Sequence, residues 1–320
     1  VTPAVRVGVI GTGFGAQVVA PAYAAGEDCE VVAVVSPRDT AAVADLCARR
    51  DVDLISVHSP PFLHVEHVRR AIEGGHAVLC DKPFGRDATE SAEMVKLADD
   101  AGVLGLLNFE RRFDPTRQRL RDLIRAGAIG DPVQFQYSRY IALPEPRPYN
   151  WLSDASSGGG WLGGQASHLI DAIRWLFGEI VVAAAVMRTL VPVRVDAAGV
   201  RHRCDAEDAV TAIFRSAGGV TASVDVAIES SVHLPEHTVV IGSAGMLEID
   251  GAGVVLSTVD GPVRRYDVDL AAGANLTTSM RTWAALACAA VRGAPLHPDA
   301  PTFADGLACA SVMDRIRSAG

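Results

Sequence analysis

The hydrophobic positions of this chain change period about a third of the way along. From the N-terminus, short β-branched and aliphatic runs at Val5 to Ile10, Glu30 to Val35 and Leu54 to His58 alternate with stretches of helical spacing, about Ala16 to Ala25 and Thr40 to Arg50. The alternation continues through a helix around His64 to Gly74, a strand at Ala77 to Cys80, a helix from Thr89 to Ala101 and a strand at Val103 to Asn108. Strands joined through helices build right-handed βαβ units, and repeated units build a parallel sheet. The pattern predicts a doubly wound α/β domain over residues 1–112.

After Asp114-Pro115 the spacing gives an amphipathic helix to about Ala126, and Gly130-Asp131-Pro132 opens a different regime. Longer alternating runs follow at Val133 to Tyr140, Val181 to Val195, Glu207 to Arg215, Val220 to Ser230 and His237 to Ile249. Turns such as Ala217-Gly218-Gly219 and Gly242-Ser243-Ala244-Gly245 suit antiparallel neighbours. Helical spacing at Ser167 to Phe177, Ala274 to Arg292 and Phe303 to Ser318 offers apolar faces to cover one side of that sheet. Residues 113–320 are therefore expected to form an α+β domain for substrate binding and oligomerisation, with a large, mostly antiparallel sheet open on one face and covered by helices. The stretch from Pro144 to Pro148 is a loop.

A chain of 320 residues has material for two cores, in agreement with the change of period. Its net charge of −9 gives no electrostatic reason to bind nucleic acid or an anionic membrane, which leaves a small molecule as the expected partner. The six cysteines include no C-x-x-C pair and suit buried thiols in a reducing cytosol. No stretch approaches the roughly 20 apolar residues that span a bilayer, and Val5 to Ile10 runs into a glycine turn rather than a leader's cleavage site. A cytoplasmic protein without a metal site is expected. Lys82 and Lys96 are the only lysines, so either stands out.

Three stretches carry candidate chemistry. Gly11-Thr12-Gly13-Phe14-Gly15-Ala16 directly follows a strand and opens a helix. Gly11 permits the tight turn, Gly13 lets the backbone approach a pyrophosphate, Ala16 allows close helix–strand packing, and the helix N-terminus faces the anion. Glycines cluster at many turns, and it is the place in a βαβ series that makes this a Rossmann dinucleotide site. The second strand ends at Val35-Ser36-Pro37-Arg38, where an NAD site usually carries an acid. Ser36 and Arg38 suit a 2′-phosphate instead, which favours NADP(H) and leaves NAD(H) possible; an ordinary surface arginine is the alternative.

Asp81-Lys82-Pro83 follows the fourth strand, at the carboxyl ends where doubly wound sheets bind ligands. A lysine there reaches a nicotinamide edge and a substrate hydroxyl, its pKa lowered if it is desolvated, unless it is a solvated surface lysine. Further on, the glycine-rich run Gly158 to Gly164 leads through Gln165-Ala166-Ser167 to His168 in the first turn of a helix. Glycines let a backbone approach a ligand closely, and a histidine there is a candidate acid/base, with a capping or packing histidine as the competing reading.

These stretches, in this order, resemble the Gfo/Idh/MocA family of NAD(P)-dependent oxidoreductases over nearly the whole chain. Ser59-Pro60 with His64, the segment Asn108-Phe109-Glu110-Arg111-Arg112-Phe113-Asp114-Pro115, Gly242-Ser243-Ala244-Gly245 and Thr302-Phe303-Ala304-Asp305-Gly306 add to the resemblance. It implies that Lys82, with Asp81 in place of the family's glutamate, lies by the nicotinamide and substrate, and that His168 exchanges the substrate's hydroxyl proton. The implied reaction is hydride transfer between nicotinamide C4 and a secondary hydroxyl or ketone carbon of a sugar, cyclitol or similar polyol. Thr12, Phe14, Gly15, Ser59, Pro60, His64, Asp81 and Asn108 fall on the cofactor side, and Arg112, Tyr149, Trp151 and Gln165 on the substrate side. A homo-oligomer, dimer or tetramer, built through the open sheet face is expected.

Three departures bear on this. Family dehydrogenases often carry an aspartate four residues before the histidine, and Gly164 stands there, so Gln165 or another group must replace the carboxylate. Between Ser36 and Asp53 there is room for one helix, where the family usually has a helix, a short strand and another helix, so either the adenine side of the pocket is truncated or a segment is missing here. Pro61 replaces a frequent asparagine. The missing carboxylate keeps two other readings open: a lyase or epimerase that recycles its cofactor within the turnover, or a catalytically impaired cofactor-binding sensor or partner protein.

Overall fold

The computed structural model describes residues 3–268 and 275–319. The chain divides into two compact units, residues 3–114 with 275–310 and residues 115–268 with 311–319.

The first unit is built on β1 (Val5–Ile10), β2 (Cys29–Val35), β3 (Leu54–Val57), β4 (Ala77–Cys80) and β5 (Gly105–Leu107), paired in parallel in the order β2-β1-β3-β4-β5. Val7, Val9, Ile10, Leu54, Ile55, Val57, Val78 and Leu79 are wholly buried. That is why these strands read as continuous aliphatic runs rather than alternating ones. The crossovers are α1 (Ala20–Ala24), α2 (Thr40–Ala48), α3 (His64–Glu73) and α4 (Ala88–Ala101). Asp39 caps α2 by accepting from Ala42 N–H at 3.0 Å, and Asp87 caps α4 by accepting from Glu90 N–H at 2.9 Å. Between Ser36 and Asp53 the chain forms α2 alone. No described strand lies beyond β2, which is the outer strand of its sheet and leaves Val34 42% exposed.

The second unit begins with α5 (Pro115–Arg125) and β6 (Pro132–Ile141), followed by α6 (Ser167–Phe177). Then come β7 (Ile180–Arg188), the ribbon β8 (Val193–Val195) and β9 (Arg201–Arg203), β10 (Ala209–Ser216), β11 (Thr221–Ile228), β12 (Leu234–Gly242), β13 (Gly245–Asp250), β14 (Gly253–Thr258) and β15 (Arg264–Asp267). Its eight-stranded sheet runs β15-β14-β13-β12-β6-β11-β10-β7, with only β6 and β11 parallel. On β10, Val210, Ala212 and Phe214 are buried while Thr211, Ile213 and Arg215 are exposed, the alternation of a sheet covered on one side. Leu169, Ile170 and Ile173 of α6 and Leu120 of α5 are buried in the same unit.

Two expectations change. The run Val181 to Val195 is not one strand: β7 ends at Arg188, and the Asp208 carboxylate takes the N–H groups of Leu190 and Val191 at 2.5 and 3.0 Å, drawing the chain out of the sheet. The helix expected over Ala274 to Arg292 forms as α7 (Asn275–Val291), with Ala274 outside the described residues. Met280, Trp283, Ala284, Ala287 and Cys288 pack in one core with Val5, Val7, Tyr23, Leu79 and Phe113, so α7 belongs to the first unit. The last helix, α8 (Phe303–Ala319), starts there too, with the Phe303 ring 4.5 Å from that of Phe84.

Candidate active site

In the first unit, Gly11 leaves β1 at φ +154°, and its N–H donates to the Val35 carbonyl at 3.0 Å. A Cβ there would lie 2.7 Å from the His58 carbonyl oxygen, so the turn needs glycine. Gly13 differs: a Cβ would meet nothing within 4 Å, and the residue is exposed beside Thr12. Close helix–strand packing falls on Gly15, whose Cβ would lie 3.0 Å from His58 Cβ and 3.2 Å from Val9 Cγ1; Ala16, expected to serve it, is only half-buried. The Phe14 ring lies 6.0 Å from the His58 imidazole. The open backbone at Gly13, ahead of the helical run that starts at Gly15, fits a pyrophosphate.

At the end of β2, Ser36 Oγ accepts from Arg38 N–H at 3.4 Å, and the Arg38 side chain is exposed. Ser59 is buried, with its Oγ 3.0 Å from His67 Nδ1. Burial brings the His67 imidazole down to about 4, against a hydrogen bond to the Pro37 carbonyl, so this neutral ring ties the Ser36–Arg38 loop to Ser59. Pro60 leads in extended conformation into the turn before α3. His64, expected beside the cofactor, is wholly buried, with Nδ1 2.9 Å from the Phe84 carbonyl and Nε2 2.8 Å from the Ser59 carbonyl. Its ring braces two loops, with both nitrogens against main-chain carbonyls.

Asp81, Lys82 and Asn108 come together beyond β4 and β5. Asp81 is a hub: it accepts from Lys82 N–H at 2.9 Å and Asn108 Nδ2 at 3.3 Å, and its other oxygen lies 3.2 Å from His58 Nδ1. Burial would raise this carboxyl, but the His58 hydrogen bond and the charges of His58 and Lys82 outweigh it and hold it below the usual range. Burial lowers the Lys82 ammonium, against Asp81 and Glu110, which hold it up. Asn108 is fully buried and its Oδ1 has no hydrogen-bond partner among the described residues, an acceptor suited to a ligand's donor. Arg112, expected to reach substrate, is instead buried with Nη2 2.8 Å from Asp305 Oδ1 and Nη1 3.3 Å from the Asp299 carbonyl. It fastens the turn after β5 to the start of α8. Sequence reasoning missed His58 and Glu110; Glu110 stands within the run from Asn108 to Pro115, with no sign of which way it points.

In the second unit, His168 is the second residue of α6 and 4% exposed. The helical run that carries it begins at Leu162, whose N–H donates to Glu207 Oε1 at 2.9 Å, while Trp161 N–H donates to the Glu207 carbonyl at 2.7 Å. Burial raises the Glu207 carboxyl, a residue the sequence did not single out. Two of the preceding glycines make room for the chain itself. A Cβ at Gly160 would lie 2.1 Å from Glu207 Oε1 and one at Gly159 2.4 Å from the Trp151 carbonyl. Gln165 is buried and donates to the Tyr137 hydroxyl at 3.2 Å. Trp151 opens a short helical turn, and Tyr149 stacks on His202 with centroids 4.3 Å apart. Glu229, at φ +59°, accepts from Arg147 Nε at 2.9 Å and Arg194 Nη1 at 2.5 Å, fixing the Pro-rich loop to the β8–β9 ribbon. Among the described residues no group of His, Cys, Asp or Glu could hold a metal, and no helix is long and apolar enough to cross a membrane.

Comparison with known proteins gives two family matches: an oxidoreductase-family, NAD-binding Rossmann fold over residues 5–109, and a GFO/IDH/MocA C-terminal domain over residues 117–248. An uncharacterized oxidoreductase of Synechocystis is 32% identical over 214 residues, 61% of this chain and 57% of that protein. Inositol 2-dehydrogenase 3 of Saccharopolyspora erythraea is 29% identical over 262 residues, 77% of this chain and 73% of that one. Among solved structures, a levoglucosan dehydrogenase in complex with NADH and L-sorbose has the same fold, with a TM-score of 0.87 at 22% identity over 99% of this chain and 97% of its own.

Proposed function

Because the chain belongs to the Gfo/Idh/MocA family of oxidoreductases, we propose that it is an NADP(H)-preferring dehydrogenase or reductase acting on a secondary hydroxyl or ketone of a sugar, cyclitol or similar polyol. The observation that carries this reading is the open glycine cradle after β1 on the same sheet as the Asp81–Lys82–Asn108 cluster. Backbone N–H groups from Thr12 to Gly15 would hold the pyrophosphate, Ser36 and Arg38 the 2′-phosphate, and Asn108 the nicotinamide side. When bound, the nicotinamide supplies the hydride acceptor or donor at C4. Lys82 donates a hydrogen bond to the reacting oxygen and so stabilises the negative charge that develops there. His168 takes up the hydroxyl proton on oxidation and returns it on reduction. Names among the relatives, inositol 2-dehydrogenase and levoglucosan dehydrogenase, point to cyclic polyols as the first compounds to try.

The test is a panel of sugars and cyclitols followed at the nicotinamide absorbance with NADP(H) and NAD(H). Lys82→Ala and His168→Ala should each lower kcat by about 10²–10⁴-fold. Arg38→Ala should weaken NADPH by about ten- to a hundredfold while NADH binding stays as it is. Full turnover in both Lys82→Ala and His168→Ala would overturn the assignment. Self-association through the exposed face that carries Thr211, Ile213 and Arg215 belongs to the same proposal, and light scattering reads it.

A further inference from the structure

Glu110 opens the short turn Glu110–Phe113 that follows β5, and it is 3% exposed. β5 runs beside β4 with Cys80 opposite Leu107, and Asn108 N–H donates to the Cys80 carbonyl at 2.7 Å. The segments Asp81–Lys82 and Asn108–Glu110 therefore leave neighbouring parallel strands side by side. The charges that act on Glu110 are those of Arg111, Lys82 and Asp81, and those that act on Lys82 are Asp81, Glu110 and Arg111. Two carboxyls and two cations are grouped here, with Glu110 buried and Asp81, Lys82 and Arg111 partly exposed.

The surrounding elements add little charge of their own. α7 packs on the turn with Met280 and Trp283, the indole stacked on Phe113 at 5.1 Å, and its Arg281 is exposed. Arg112 faces Asp305 and the Asp299 carbonyl. His58 and His64 act on Asp81, whose oxygens already meet His58, Lys82 N–H and Asn108. Glu110 is thus the second carboxylate in Lys82's surroundings, and its sequence position alone did not reveal it.

We propose that Glu110 is a positioning residue: its carboxylate keeps the Lys82 side chain in the ammonium form against desolvation, so that Lys82 offers the reacting oxygen a donor. This rests on the reading of Lys82 given above. Burial pushes the Glu110 carboxyl up to about 7, so near neutral pH it gains and loses a proton beside the lysine. In Glu110→Gln no carboxylate forms, and the N–H proton that the pair retained on Lys82 is released to solvent at lower pH.

Lysine labelled with 13C at Cε gives the chain two side-chain signals, Lys82 and Lys96, and the exposed Lys96, paired with Asp100, serves as internal reference. With the cofactor-free protein, the Lys82 titration midpoint should fall by about one pH unit or more in Glu110→Gln and by less in Glu110→Asp. In the wild-type chain the Lys82 signal should also record an inflection near pH 7 that is absent from Glu110→Gln. An unmoved midpoint in Glu110→Gln overturns the proposal, and so does an equal fall in both variants, which assigns the effect to packing. Should the variants fail to fold, absence of the wild-type inflection overturns it. The titration needs no substrate, so its outcome is separate from that of the redox assay.

Discussion

The indole of Trp161 lies over Gly164, so that a Cβ added there would sit 3.3 Å from Trp161 Cε3. The space where the family resemblance implies a carboxylate is thus bordered by an aromatic edge, and the ring must yield by a few tenths of an ångström to admit a Cβ. Gly164→Asp should fold, with stability within about 1 kcal/mol of the parent. A carboxylate one helical turn before His168 stabilises the imidazolium, and the pKa governing kcat should rise by about one unit. A pH–rate profile with an unshifted midpoint would show that the two side chains do not interact.

Gly11 and Gly13 should separate folding from binding. Gly11→Ala places a methyl 2.7 Å from the His58 carbonyl at a φ of +154°, which should cost about 1–3 kcal/mol in urea unfolding. Gly13→Ala meets no atom within 4 Å, so its unfolding should be unchanged within about 0.5 kcal/mol. NADPH affinity should nevertheless drop about ten- to a hundredfold, the effect of overpacking a tight site. Intact affinity in Gly13→Ala would mean that no pyrophosphate rests there.

His67 should make the first unit sensitive to mild acid. Its pKa is lowered from 6.5 to about 4 in the folded chain, so between these values the unfolded chain binds a proton that the folded one refuses. The stability it contributes is complete above pH 6.5 and is lost as the pH falls toward about 4, by up to about 3 kcal/mol. Denaturant melts of wild type and His67→Gln across this window should diverge, with the variant flatter. Parallel curves would dispose of the idea.

Arg112 should behave as a structural residue. Removing a buried guanidinium breaks its ion pair with Asp305, and Arg112→Ala should lose about 3–5 kcal/mol of stability. If the melt is unaltered and only a substrate KM rises, the side chain belongs to the site after all.

The sequence made some features plain and hid others for identifiable reasons. Ala77 to Cys80 and Ser167 to Phe177 were legible to the residue, because their period is clean and glycines or turn residues bound them. The break after Arg188 was not, since the groups that divert the chain are the Asp208 carboxylate oxygens, supplied from 20 positions downstream of Arg188. An apolar stripe told that residues 275–291 form a covered helix but not which sheet they cover. Likewise, the run Glu110-Arg111-Arg112 shows three charges in a row, and only the turn after β5 decides which faces Lys82 and which faces Asp305.

The outer position of β2 has one more consequence. Its free side presents main-chain donors and acceptors from Cys29 to Val35 with no described strand to receive them, along a valine-rich sequence. Such a border is a template on which an extended segment of another molecule can zip up, and neither charge nor proline within the strand blunts it beyond Glu30. Concentrated or partly unfolded samples should therefore aggregate from this margin first, and a lysine in place of Val34 is the simplest guard.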